Sequence, residues 1–373
     1  MRFNNIQILR VVAALGVVAI HLAHYAVADF HADPAAMAGV RAERVTDVCV
    51  PLLFAVSGFV LTHVLQSTPT GRYLLGRALR IYPGYWLAVF VAACLRSNGL
   101  PGIALPWFAR QLALPGLWLL PAGQPRVGLL LLGSEWTLFY EMTLAAALGV
   151  FALFGARWAV PIAAGVWAVA IAVRVAVWPD VALDSIPRWD TVLISAFNLP
   201  FLLGVLAYYP RNLGRRWRWT VLVGTVGFAA FGVPWVPAGE LRYCAWSVVA
   251  GLAMWLAVQF PQAADRNPLV RLGDLTYGLY LLHVPIILPV FLVLQNRDLL
   301  VGSETGVAVA GLAAVSGGLL FGWLESIVHA RLRPLAKLRG ADLRAWFERR
   351  RGRLSQRGNV ATLSRPVTDA RTN

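Results

Sequence analysis

Charge is scarce in this chain. Only 14% of its 373 residues are Asp, Glu, Lys or Arg, against about 25% in a soluble domain. That leaves too little polar side-chain material to clothe a water-soluble globule of this length. Lysine is nearly missing, with Lys337 the single example. Cysteine is as sparse: Cys49, Cys94 and Cys244 all fall inside apolar stretches. An odd number so placed implies no disulfide framework, and no Cys/His cluster has metal-ligand spacing, so no metal is expected. The formal charge is +15. The arginines are nevertheless dispersed between apolar runs and gathered in a C-terminal tail, not collected on one basic face, so nucleic acid is not the expected partner. Disorder is excluded by 15 Trp, 17 Phe and a hydrophobic content of 58%.

What the chain does have is a series of apolar runs, each of roughly 17–24 residues and so long enough to cross a hydrocarbon core of about 30 Å as a helix. They read as 6–28, 45–65, 78–96, 133–154, 157–178, 191–209, 217–233, 243–260, 276–296 and 305–328. The expected fold is an all-α, polytopic bundle of about ten membrane helices in a lipid bilayer, with both termini in the cytoplasm. Residues 1–328 form the membrane domain, and 329–373 form a basic, partly disordered cytoplasmic tail. The stretch 104–120 is interrupted by Pro106, Arg110, Pro115 and Pro121 and reads as interfacial or re-entrant. With the N-terminus inside, cytoplasmic segments other than the tail carry 11 arginines against 7 in outer loops, the sense that the positive-inside rule requires. The first run is longer than a signal peptide and is interrupted by Arg10 and His21, so it reads as a retained span.

Ionisable groups in lipid cost about 2.5–3.5 kcal/mol each and therefore tend to face the bundle interior. Arg10 and His21 are eleven residues apart, which places them on one helix face about 16 Å apart along the axis. His21 is then in the outer half of the membrane; His24 reads as interfacial packing. Arg77 and Arg80 are one turn apart at the cytoplasmic start of the third span. On spacing alone they read as positive-inside anchors, although the same geometry suits an anionic group such as phosphate. Glu141 sits roughly 12 Å below the outer end of its span, at a depth where it can meet His21. A carboxylate there orients an imidazole base, or pairs with an arginine for packing; both readings stand. Glu135, at the outer interface, is expected to be solvated. Tyr277, Tyr280 and His283 make a stripe that fits core packing as well as a pocket wall. Glu325 lies at the level of Arg10, Arg77 and Arg80, where an ion pair is expected. Ser57-Gly58 reads as a site of close helix approach and not as a nucleophile.

Taken together, these positions resemble the membrane-bound acyltransferase-3 superfamily, and within it the exopolysaccharide and O-antigen O-acetyltransferases. The resemblance is carried, in order, by Asn5 to Arg10 with the Arg-x10-His spacing to His21, by Phe54-Ala55-Val56-Ser57-Gly58-Phe59, and by Arg77-x-x-Arg80 with Ile81-Tyr82-Pro83. It continues through Trp136-Thr137-Leu138-x-x-Glu141-Met142, Tyr277-x-x-Tyr280-Leu281-x-His283 and Trp323-Leu324-Glu325. The chain differs at Pro51, where members often have Asp, and at Leu144-Ala145, where they have an aromatic pair.

The resemblance implies transfer of an acyl group, most often acetyl, from cytoplasmic acyl-CoA to a hydroxyl of a glycan or its lipid-linked precursor. The setting is the bacterial inner membrane. Acyl-CoA is then a donor substrate and not a tightly bound cofactor. His21 and Glu141 take the catalytic roles; Arg10, Arg77 and Arg80 bind acyl-CoA. Ser57, Trp136, Tyr277, Tyr280, His283 and Glu325 are pocket or structural candidates. Direct transfer and an acyl-histidine intermediate both fit the sequence. So do a small-molecule acceptor and, in another class, a proton-coupled glycan transporter, although no internal repeat is visible.

Overall fold

A computed structural model describes residues 3–28, 30, 47–97, 132–178, 191–210, 214–297 and 303–334. These residues are helical, with no strand among them. The order is α1 Asn4–Ala28, α2 Cys49–Leu65, α3 Thr70–Ser97, α4 Glu135–Leu153 and α5 Ala159–Val177. A 3-10 turn, Ala196–Asn198, leads into α6 Leu199–Ala207. There follow α7 Arg215–Gly227, α8 Glu240–Gln259, α9 Pro268–Gly273, α10 Thr276–Asn296 and α11 Glu304–Leu332.

Seven of these helices are long and apolar enough to cross a membrane: α1, α3, α4, α5, α8, α10 and α11. Side chains such as Phe90, Leu153, Ile162, Val166 and Phe231 are more than half exposed. Apolar outer faces on this scale belong in lipid and not in water. The chain is a polytopic membrane protein. Three of the ten expected spans are shorter or broken. The 17 residues of α2 give about 25 Å of helix. In the run 191–209 only 196–207 is helical. The run 217–233 passes from α7 into a π turn, Phe228–Gly232, and then a 3-10 turn ending in the Val-Pro-Trp of 233–235. Helix α3 starts at Thr70, about two turns before the expected start, and α11 runs on to Leu332, past the domain edge expected at 328. The stretch 104–120, the tail beyond 334, and Arg41, Arg44, Arg110, Arg126 and Arg188 of the expected outer loops lie outside the described residues.

Helices approach closely where glycine removes a side chain, because apolar burial gives no drive for association inside lipid and packing must supply it. On α2, a Cβ at Gly58 would collide with the Phe201 carbonyl of α6; reciprocally, one at Gly204 would collide with the Ala55 carbonyl. Helices α10 and α11 meet in the same way at Gly278, Gly318 and Gly322. The short α9, capped by the Asn267 side chain accepting from the Leu269 N–H at 2.9 Å, was not foreseen. Its Gly273 abuts Gln7, while Phe291 near the far end of α10 packs on Phe30 just beyond α1, ring centroids 4.9 Å apart. Helices α1 and α10 therefore run side by side in the same direction.

Candidate active site

A cavity of about 620 Å³ lies between α1, α2, α3, α4, α10 and α11. Its rim is formed by exposed residues of the α2–α3 connection and by Arg72 and Arg333. Its far wall is Arg10, Ala14, Thr137, Glu141, Tyr277 and Tyr280. Among the described residues, arginines 10, 72, 77, 80 and 333 line it, against Glu141 in the lining and Glu325 paired with Arg80 behind it. Such a surplus of guanidinium in a partly enclosed space favours a ligand with several negative charges.

The early start of α3 sets Arg77 and Arg80, both half-buried, about 10 Å or more along the helix and not at its first turn. Each finds a carboxylate there. Arg77 pairs with Glu141, both 15% exposed. Arg80 pairs with Glu325, which is 2% exposed, and its guanidinium lies 4.7 Å above the Tyr277 ring. The Tyr277 hydroxyl donates to the Ile81 carbonyl at 2.9 Å. Gly84 makes room for this group, since a Cβ there would come within 2.8 Å of Glu325 and Tyr277. The ion pair expected at Glu325 is thus made with Arg80. Arg10 is held by Gln7, its guanidinium donating at 3.3 Å.

The expected contact between Glu141 and His21 is not made among the described residues. The Glu141 carboxylate is occupied by Arg77 and by the Ser57 hydroxyl, which donates to it. Ser57 therefore does more than permit helix approach: its hydroxyl is bonded to a carboxylate of another helix. His21 instead meets His283: Nε2 of His283 is 3.2 Å from Nδ1 of His21, with ring centroids 4.9 Å apart. A helical side chain leans toward its helix N-terminus, so the His21 ring hangs back beside the Val17 carbonyl, 2.9 Å from Nδ1. Helix α10, entering above α9, brings His283 to that same level.

Between cavity and histidine pair stands Tyr280. It lines the cavity, its ring is 5.9 Å from that of His283, and its hydroxyl bonds the Thr137 hydroxyl and donates to the Ser134 carbonyl at 3.2 Å. Neither His21 nor His283 lines the cavity itself. Trp136 faces the other way, against Phe197 and Tyr140. Glu135 is not solvated: it is fully buried and accepts from the Leu132 N–H at 3.0 and 3.2 Å, closing the turn before α4.

Sequence reasoning missed Tyr73, buried on the cavity wall one turn before Arg77. The Tyr73 hydroxyl and Arg77 Nε have no hydrogen-bond partner among the described residues. The i, i+4 spacing from Arg77 was the available signal. Among the same residues no group of three metal-ligating side chains forms.

A family model described as an acyltransferase domain matches residues 3–324. The match spans His21, Ser57, Arg77, Arg80, Glu141 and His283 and stops just short of Glu325. No curated protein and no solved structure matches the chain.

Proposed function

The chain belongs to the acyltransferase-3 superfamily of membrane-bound acyltransferases, and from that membership we propose an acyl-CoA-dependent O-acyltransferase. In this reading it transfers acetyl to a hydroxyl of an exported polysaccharide, or of its lipid-linked precursor, at the bacterial inner membrane. The observation that carries the reading is the arginine-lined cavity, which ends one tyrosine ring short of the pair formed by half-buried His21 and buried His283. Its volume lies in the usual range for ligand sites. Acyl-CoA has the matching shape: a polyanionic nucleotide end for Arg72, Arg77, Arg80 and Arg333, and a narrow arm carrying the thioester past Thr137 and Tyr280.

The chemistry then needs one base. His21 Nε2 takes the proton of the acceptor hydroxyl as its oxygen attacks the thioester carbonyl carbon. Collapse of the tetrahedral intermediate breaks the C–S bond, and the departing thiolate receives the proton from His21. The products are an O-acyl ester and free CoA thiol. Glu141, held by Arg77 and Ser57, serves in this scheme to fix the arginine that meets the donor.

The test uses membranes containing the full chain, incubated with radiolabelled acetyl-CoA and read as label in the glycan fraction. The expectation is that His21→Ala abolishes incorporation at an unchanged protein level, and that Arg77→Ala raises the KM for acetyl-CoA. Normal glycan acetylation by the His21→Ala protein would overturn the reading. A panel of acceptors separates glycan from small molecule.

A further inference from the structure

We propose that His283 is the positioning residue for His21, fixing its tautomer and stabilising its charged form through a direct imidazole–imidazole hydrogen bond. This rests on the reading of His21 as the base. The argument follows from what each ring nitrogen faces. Nδ1 of His21 is 2.9 Å from the Val17 carbonyl and Nδ1 of His283 is 3.2 Å from the Leu279 carbonyl. A carbonyl oxygen only accepts, so in the neutral pair both Nδ1 atoms carry the proton. Nε2 of His283 then bears a lone pair, 3.2 Å from the His21 Nδ1–H. That N–H is shared between the Val17 carbonyl and the His283 lone pair.

Two consequences follow. His21 is held as the tautomer whose Nε2 is unprotonated, the form able to accept a proton. Once it has accepted, the His21 Nδ1–H, now part of an imidazolium, points at a neutral acceptor that is fully buried. In hydrolytic triads a carboxylate has this place. Here Glu141, the carboxylate expected beside His21, is committed to Arg77 and Ser57, and among the described residues the ionisable groups facing the pair are His24 and Tyr25 on α1 and Tyr280 on α10. The pairing joins residues 262 positions apart, and sequence alone leaves His283 as readily core packing as a pocket wall.

Amide variants separate positioning from mere filling of space. The Gln side chain places an oxygen near the position of His283 Nε2, within reach of His21. Asn reaches only the position of Nδ1. With radiolabelled acetyl-CoA and full-length protein in membranes, His283→Leu and His283→Asn should lose about 10–100-fold in turnover, the worth of a hydrogen bond to a charged group. The KM for acetyl-CoA should stay unchanged, and His283→Gln should recover most of the loss. Normal turnover by His283→Leu, or His283→Gln no better than His283→Asn, overturns the proposal. If the Leu protein does not accumulate, the Gln-to-Asn comparison decides. His21→Ala in the same assay keeps the two readings apart. An active His21→Ala enzyme removes the base itself, whereas an inactive one beside a fully active His283→Leu enzyme removes only the role of His283.

Discussion

Glu325 is buried against Arg80, and the same guanidinium covers the face of Tyr277, so a single contact ties α3, α10 and α11 together beside the cavity. The pair is asymmetric: the carboxylate is 2% exposed and the arginine 24%. Removing the arginine strands a buried charge, at a cost of up to about 3–5 kcal/mol. Removing the glutamate leaves an arginine that still has the ring and some solvent. Arg80→Met should therefore lower the thermal midpoint in detergent more than Glu325→Leu does, and the double variant should be more stable than Arg80→Met alone. Equal losses from the two single variants would contradict this.

Arg174 and Glu240 form a second buried pair, joining α5 to α8, with Arg174 also donating to the Ile194 carbonyl at 3.0 Å. Neither residue lines the cavity. Arg174→Met combined with Glu240→Leu should leave the KM for acetyl-CoA unchanged while altering stability by a few kcal/mol in either direction. Measured kinetics and melting of the double variant check the separation.

Ser57 donates its proton to Glu141 and so has a carboxylate neighbour, the arrangement of an activated nucleophile as well as of a structural clamp. If the hydroxyl only holds Glu141, Ser57→Ala should cost about 1.5–3 kcal/mol of local interaction and reduce turnover by no more than roughly 100-fold. No labelled acyl-serine should be trapped in the native protein. Complete loss of activity together with label on Ser57 would make it the nucleophile.

At Gly58 and Gly204, each Cβ added would meet main-chain atoms of the partner helix, which have no flexible end to move aside. Gly204→Ala should destabilise the α2–α6 contact by about 1–3 kcal/mol, and Gly204→Leu should prevent accumulation. Gly165, with nothing within 4 Å of its Cβ position, is the control: Gly165→Ala should melt at or above the native temperature.

If the proposed donor is held by guanidinium groups near the exposed rim, its binding should weaken with ionic strength, because salt screens partly solvated charges. The KM for acetyl-CoA is expected to rise between low and high salt, and less steeply in Arg72→Ala or Arg333→Ala than in the native chain. A KM indifferent to salt would remove the arginines of the rim from donor recognition.

Some of this was legible from residues alone. The scarcity of charge and the length of the apolar runs fix a membrane bundle, because no other solvent accommodates that composition. The few ionisable residues in those runs mark the interior, because lipid penalises them elsewhere. Spacing within one helix is also readable: Arg77 with Arg80, and the stripe from Tyr277 to His283, follow from 3.6 residues per turn. The partner each group finds on another helix was not readable. Glu141 reaches the depth of a histidine in the sequence count, yet Arg77 reaches it first, because α3 begins two turns early and carries the cation inward. His21 and His283 share a level because α9 seats Gly273 against Gln7 and so sets where α10 begins relative to α1. Pairing across helices depends on axial offsets of a few ångströms, set by glycine contacts and by where each helix begins. Tertiary packing alone decides them.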